Sequence, residues 1–266
     1  MKLKSFSKIN LSLSINKKFK KGLHDIQSYF CLINLFDIIE IKRIKNKKDI
    51  IKFKGRFAQN VKKKENSVKT VLRILRRKNL IKNNYLIIID KKIPVFAGLG
   101  GGTSNAACLV RHFVKKKINK DLFEILSKKI GSDLNLFQHN QGFLENLKTI
   151  RRLKKSYNLF FLLVYPNIKS STRDIYSKVS KFSTKSKYNY QKINNKEKFI
   201  SLLKNSKNDL QFIVEKKYPK IKNLILKIGE KKGCYFSRIT GSGSVCYGVF
   251  KSEKTAKAAL NRVKLK

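Results

Sequence analysis

The apolar and polar positions of the chain follow two repeating patterns. From Ile9 to Ile15 every second residue is apolar, and this period of two predicts a strand with one buried face. Lys8 and Asn10 fall on the opposite face of that strand. Runs rich in β-branched and aromatic residues predict further strands at residues 38–44, 50–53, 85–89, 160–164, 235–239 and 245–250.

The second pattern has the spacing of an amphipathic helix. It first appears at Val68, Leu72 and Leu75, with Asn66 or Ser67 as the helix cap. It returns at about 103–115, 121–130, 195–204, 208–217, 219–230 and 252–263. Because helices and strands do not alternate regularly, the chain is predicted to have an α+β fold.

The length and local composition predict how the chain is divided. A chain of 266 residues can form two domains, and we expect a boundary near residue 155, giving residues 1–155 and 156–266. Residues 177–197 are rich in Lys, Ser and Asn and are predicted to form a surface loop or a loosely ordered helix.

The charge is strongly positive, with 63 Lys and Arg against 16 Asp and Glu and a net charge of +47. Such a charge suggests a polyanionic partner, and a nucleic-acid-binding protein is one hypothesis. However, the Lys residues are spread along the whole chain, as codon bias in an AT-rich gene would produce. The sequence also lacks zinc-finger, RNP and basic-zipper motifs, so we expect no specific nucleic-acid partner.

Cysteine usage and the N-terminal segment bear on location. The four cysteines are far apart and form no CxxC pair, which indicates free thiols in a reducing compartment. Cys108 and His112 have helical spacing but lack further metal ligands, so core packing is the better interpretation. The N-terminal segment has no continuous apolar stretch like that of a signal peptide, and no apolar run is long enough to span a bilayer. We therefore predict a cytoplasmic protein without a membrane partner.

A glycine-rich segment carries the clearest chemical signal. Residues 94–107 read PVFAGLGGGTSNAA and join a predicted strand to a helix that is expected to begin at Thr103 or Ser104. Closely spaced glycines leave backbone N–H groups uncovered, and a helix N-terminus adds positive potential, so the segment is predicted to bind phosphate. It is not a Walker A loop, because Gly102 is not followed by Lys-Ser or Lys-Thr, and the spacer after the strand excludes a dinucleotide fingerprint.

Four segments in order resemble the GHMP kinases. Residues 94–107 are similar to the family loop P-x-x-x-G-L-G-S/G-S-S-x-A-A, and residues 238–244 (RITGSGS) to its R-x-T-G-S/T-G motif. Residues 7–11 (SKINL) and 22–24 (GLH) resemble A-K-[IL]-N-L and G-Y-H, found in the branch that phosphorylates a cytidine-diphosphate-linked alcohol. With residues 131–134 (GSDL), the resemblance covers nearly the whole chain.

The resemblance implies a two-lobed α+β GHMP kinase fold, with the active site in the cleft between lobes and ATP and Mg²⁺ as cofactors. Asp133 is expected to act as the base toward the acceptor hydroxyl, with Lys8 beside it to stabilise developing charge. Ser104 is expected to contact Mg²⁺, and Asn66 to lie near the adenine. The residues expected to contact the nucleotide phosphates are Pro94, Gly98, Leu99, Gly100, Gly101, Gly102, Thr103, Ser104, Gly241 and Gly243.

The acceptor site is also inferred from the resemblance. Its expected members are Asn10, His24, Phe30, Tyr176 and Thr240. His24 is expected to hydrogen-bond a cytosine ring, while Phe30 and Tyr176 either stack on that ring or belong to the core.

Two departures from the family pattern are Leu23 in place of tyrosine before the histidine, and Asn135 in place of the proline that usually follows the aspartate segment. Leu23 leaves homoserine or mevalonate kinase activity open as an alternative. A monomer or a homodimer is expected.

Overall fold

The structure is a computed structural model that describes residues 1–20, 22–62, 64–114, 118–186 and 193–263. The chain forms two compact units, each assembled from separate stretches. The first unit contains residues 1–8, 32–95 and 100–140, and the second contains residues 9–31, 96–99 and 141–266. The division near residue 155 stays a prediction, because packing rather than one cut in the sequence defines these units.

Strands and helices mix as expected for an α+β protein. The strands are β1 (Lys2–Asn10), β2 (Ser14–Lys18), β3 (His24–Ile44), β4 (Ile50–Lys54), β5 (Asn84–Asp90), β6 (Gln141–Leu144), β7 (Ile150–Arg151), β8 (Phe160–Val164), β9 (Cys234–Ile239) and β10 (Cys246–Phe250). The helices are α1 (Ser67–Arg77), α2 (Gly101–Phe113), α3 (Lys120–Ile130), α4 (Thr172–Ser177), α5 (Lys196–Asn205), α6 (Gln211–Lys217), α7 (Pro219–Gly229) and α8 (Glu253–Arg262), with short 3₁₀ helices at Ala58–Asn60 and Ser132–Gln138.

The first unit packs α1, α2 and α3 around a core that also includes strand residues. β5 pairs in parallel with β4 and antiparallel with the Ile38–Ile44 part of β3. Ile39, Leu72 and Leu109 are among the buried residues of one continuous apolar cluster. The predicted cap of α1 is confirmed, because the Asn66 side chain accepts a hydrogen bond from the Lys69 N–H.

The second unit contains a three-stranded antiparallel sheet in the order β8-β10-β9. β10 lies in the middle of this sheet, and all of its residues are buried. Its Tyr247 is fully buried, and the hydroxyl donates to the carbonyl groups of Asn10 and Leu11. β6 pairs with β7 and with the Ser28–Cys31 part of β3.

Several predicted boundaries differ from the structure. The alternating segment 9–15 does not form one strand, because the chain leaves β1 after Asn10 and Leu13 then bonds to Lys207 and Asp209. α2 begins at Gly101 rather than at Thr103 or Ser104, since Gly100 adopts a left-handed conformation that starts the helix earlier. No described helix is long and apolar enough to cross a membrane.

The segment 177–197 is described only in part. Residues 178–186 form neither helix nor strand, residues 187–192 lie outside the described part, and α5 begins at Lys196.

Candidate active site

Lys8 and Asp133 form an ion pair in the first unit. Lys8 lies in β1, Asp133 lies in the first turn of the 3₁₀ helix Ser132–Gln138, and Nζ is 3.2 Å from Oδ2. The Lys8 side chain is 4% exposed and that of Asp133 is 32% exposed. The expected proximity of the two groups is confirmed. A carboxylate that reaches solvent can hydrogen-bond a hydroxyl group, while the ammonium beside it balances nearby negative charge.

The glycine loop enters α2 directly beside Lys8. Gly100 has φ +68°, and a β-carbon there would lie 2.9 Å from Phe137 Cζ and 3.3 Å from Lys8 Cε. A β-carbon on Gly101 would lie 2.9 Å from Ile93 Cγ2. The loop therefore has no room for side chains at these two positions. The first N–H groups of α2 have no acceptor within the helix, and such helix N-termini favour negatively charged groups.

Ser104 lies on the inner side of α2. It is 2% exposed, its hydroxyl donates to the Phe6 carbonyl at 2.5 Å, and it shares a hydrogen bond with the Ser5 hydroxyl at 2.7 Å. These contacts join α2 to β1 and turn the Ser104 hydroxyl toward Ser5 and Phe6. The arrangement does not fit a magnesium ligand, and the Mg²⁺ role of Ser104 stays a prediction that this placement does not favour.

A buried ion pair, Lys91 with Asp37, lies next to the glycine loop at Gly101. Lys91 Nζ donates to Asp37 Oδ2, while Asp37 Oδ1 accepts the N–H groups of Lys92 at 2.8 Å and Ile93 at 2.9 Å. Burial lowers the pKa of Lys91, and Asp37 opposes that change. A β-carbon on Gly101 would also lie 3.4 Å from Lys91 Nζ. This pair was not predicted from the sequence, although a single aspartate within an apolar strand is a detectable signal.

The remaining loop residues lie in the second unit with the carboxyl-terminal glycine motif. Gly98 has φ +78°, and a β-carbon there would lie only 2.1 Å from the Thr240 carbonyl oxygen. The Thr240 hydroxyl accepts the Asn10 N–H at 3.0 Å and donates to the Gly98 carbonyl at 3.3 Å. Gly241 and Gly243 follow in the same turn. The structure thus brings together Asn10, Gly98 and the turn at residues 240–244.

His24 and Tyr176 also meet in the second unit, with ring centroids 5.1 Å apart. His24 is 7% exposed, and its Nε2 atom has no hydrogen-bond partner among the described residues. Burial and, to a smaller extent, the Lys18 charge lower the pKa of His24, which favours the neutral imidazole. Phe30 is fully buried, which is the core-packing alternative, whereas Leu23 beside His24 is 57% exposed.

The helix α4, which carries Tyr176, was not predicted. Its cap was detectable, because Ser171 is followed three residues later by Asp174, and the Ser171 hydroxyl accepts the Asp174 N–H. From the sequence, Ser242 was recognised only as part of a glycine motif. Its contacts with Ser170 and Thr172 could not be found from spacing, since they join residues about 70 positions apart.

The cysteines are free, as predicted. Burial raises the pKa of Cys31 and of Cys246 to about 12, and that of Cys234 to about 11. Cys108 is buried as well, and its pKa is also raised. Within the described residues, no group of three or more His, Cys, Asp or Glu side chains could hold a metal ion.

Two family models match the chain. The GHMP kinases N terminal domain matches residues 66–136, and the GHMP kinases C terminal model matches residues 191–266. A 4-diphosphocytidyl-2-C-methyl-D-erythritol kinase of Pelagibacter ubique is 37% identical over 100% of this chain and 94% of its own length. A kinase of the same name from Wolbachia of Drosophila simulans is 31% identical over 97% and 91%.

Solved structures share the fold. A crystal structure of 4-(cytidine 5'-diphospho)-2C-methyl-D-erythritol kinase matches with a TM-score of 0.74 and 20% identity, covering 98% of this chain and 94% of the other. A mevalonate kinase structure matches with a TM-score of 0.66 and 19% identity, covering 98% and 95%. At these identities the structural likeness shows the fold alone, and the relatives in sequence carry the closer assignment.

Proposed function

Because this chain belongs to the GHMP kinases, and within them to the 4-diphosphocytidyl-2-C-methyl-D-erythritol kinases, we propose that Lys8 and Asp133 carry its phosphoryl transfer. The chain is an ATP-dependent small-molecule kinase of the non-mevalonate isoprenoid pathway. Its acceptor is the 2-hydroxyl of 4-diphosphocytidyl-2-C-methyl-D-erythritol.

The observation that carries the proposal is the 3.2 Å ion pair beside the glycine loop. Phosphoryl transfer mainly requires positioning and charge stabilisation. In our proposal the Asp133 carboxylate accepts the hydroxyl proton or orients that hydroxyl. The aliphatic part of Lys8 lies against Gly100, and its ammonium group beside Asp133 can stabilise negative charge on the transferred group. The N–H groups that open α2 bind the phosphates, and Mg²⁺ would neutralise further phosphate charge.

His24 and Tyr176 support recognition of the cytosine base. The buried Nε2 atom without a partner is the kind of group that a ligand satisfies, since leaving it unpaired costs free energy. A neutral imidazole can hydrogen-bond the polar edge of cytosine, and the Tyr176 ring can stack on its face. Mevalonate and homoserine carry no base, so contacts from His24 and Tyr176 to a base would favour the cytidine-linked acceptor over these two alcohols.

A coupled ADP-release assay with three acceptors tests the substrate assignment. We expect turnover with the cytidine-linked alcohol and none with mevalonate or homoserine. CMP should compete with the acceptor but not with ATP. Tyr176→Ala should weaken this competition by about 1 to 3 kcal/mol, the usual contribution of one base-aromatic stack, while Tyr176→Phe retains the ring and should not.

The assignment of the base site would be wrong if CMP failed to compete at millimolar concentration. Phosphorylation of mevalonate or homoserine would additionally replace the named acceptor within the same family. Leu23→Tyr restores the usual family residue and should leave CMP competition unchanged or tighter. A cytoplasmic location, a requirement for Mg²⁺ and a monomeric or homodimeric state stay predictions.

A further inference from the structure

A short segment of the second unit contacts the carboxyl-terminal glycine turn at several points. The Ser170 hydroxyl donates to the Ser242 carbonyl at 2.7 Å, and the Thr172 and Ser242 hydroxyls share a hydrogen bond at 2.9 Å. The Ser244 hydroxyl donates to the Ile168 carbonyl. Ser170 is 1% exposed and Ser242 is 4% exposed. These contacts fix the segment at residues 168–172 against the turn at residues 240–244.

The same segment is tied to the first part of the glycine loop. The Ser170 N–H donates to the Phe96 carbonyl at 3.0 Å, and the Val245 N–H donates to the Ala97 carbonyl at 3.2 Å. Phe96 and Ala97 immediately precede Gly98. Within the second unit, the segment therefore contacts the turn at residues 240–244 and, through Phe96, the backbone two positions before Gly98.

The segment continues directly into α4. Thr172 is the first residue of this six-residue helix, and Tyr176 lies one turn later beside His24. α4 also contacts α6, because Lys217 of α6 donates a hydrogen bond to Asp174. The turn of this helix is closed by the backbone hydrogen bond from the Ile175 N–H to the Ser171 carbonyl. We therefore expect a shift at Thr172 to displace the Tyr176 ring.

We propose that Ser242 and Thr172 are positioning residues that couple nucleotide binding at the glycine turn to base binding at His24 and Tyr176. The inference rests on the proposed function, which supplies the two ligands. A nucleotide that orders the turn at residues 240–244 orders α4 through the Thr172 hydroxyl, so the base then binds to a site already in place. By linkage, bound base tightens nucleotide binding by the same factor.

The coupling is measured with the full chain by isothermal titration of CMP, with and without a saturating non-hydrolysable ATP analogue. In the unaltered chain we expect the analogue to lower the CMP Kd by about fivefold or more, the lower end of common coupling factors. Thr172→Val keeps the side-chain shape but removes the hydroxyl. Thr172→Val should bring this coupling factor close to one. The Kd of CMP alone and the Kd of the analogue alone should change less.

Matched variants separate coupling from simple support of the fold. Thr172→Ser retains a hydroxyl and should restore the factor, and Ser242→Ala should match Thr172→Val. Combining Thr172→Val with Ser242→Ala should lower the factor no further than either change alone, because both remove the same hydrogen bond. A factor that survives Thr172→Val overturns the link and leaves the proposed function standing. A chain that binds the analogue but not CMP overturns both.

Discussion

Replacing Asp133 with Asn tests the centre of the mechanism. The change keeps the shape of the side chain but removes its charge and most of its basicity. We expect turnover to fall by about 10²-fold or more, which corresponds to about 2.7 kcal/mol of barrier, because a positioned base usually contributes 10²- to 10⁴-fold. ATP affinity should change little, since Asp133 acts on the acceptor hydroxyl.

The same change removes the 3.2 Å ion pair with Lys8, so stability must be measured separately. Breaking a fully buried pair costs about 3 to 5 kcal/mol. The Asp133 side chain is 32% exposed, and water screens much of the interaction, so we expect a loss of about 1 to 2 kcal/mol. This is small beside the usual stability of a domain, about 5 to 15 kcal/mol, and the variant should remain folded during the assay.

The assay is ADP release at saturating ATP and acceptor, with urea denaturation of the same samples. Asp121→Asn is the matched control, because Asp121 also lies in the first turn of a helix of the same unit and is exposed. It should retain turnover close to that of the unaltered chain. A folded Asp133→Asn protein with nearly normal turnover would remove Asp133 from the chemical step. A comparable loss in the control would indicate a helix effect instead.

Three further predictions concern the loop, its support and the base site. Gly101→Val should weaken ATP binding in isothermal titration, because even a β-carbon at this position would lie only 2.9 Å from Ile93; unchanged affinity in a folded variant would refute the phosphate site. Asp37→Asn leaves the buried Lys91 ammonium without its carboxylate and should lower the unfolding free energy by about 3 to 5 kcal/mol in urea denaturation. A loss below about 1 kcal/mol would show that this ion pair does not support the fold. The pKa of His24 is lowered in the folded chain, so the unfolded chain binds the proton first and the unfolding free energy should fall as the pH drops below 6.5. His24→Gln should make the unfolding free energy depend less on pH in this range, and an unaltered dependence would contradict the lowered pKa of His24.

Strong periodicity and caps allowed most elements to be predicted from the sequence. The strand at residues 160–164 has the predicted bounds, and α1 begins after its predicted cap at Asn66. Predicted element boundaries were wrong where hydrogen bonds to residues distant in sequence override the local apolar pattern. Leu13 leaves the strand because its backbone bonds with residues near 208, and spacing does not encode such contacts.

The candidate site was predictable where it depended on motif residues and not where it depended on packing. Lys8 and Asp133 lie together as expected, although 125 positions separate them. The residue types at Phe30 and Ser104 suited a ligand, but both side chains are buried by contacts within the fold. Asp37 belongs to no motif, and its position within an apolar strand was the one sequence signal of a buried, paired carboxylate.

Burial makes the thiols of Cys31 and Cys246 slow to react with electrophiles and oxidants. Only the thiolate reacts rapidly, and with a pKa of about 12 the thiolate fraction of Cys31 or Cys246 near neutral pH is on the order of one in 10⁵. Alkylating reagents and mild peroxide should therefore leave these two thiols intact. A cysteine introduced on an exposed face, such as at Lys257 of α8, would react far faster than they do. Fluorescent labels could then be attached for kinetic work without removing Cys31 or Cys246.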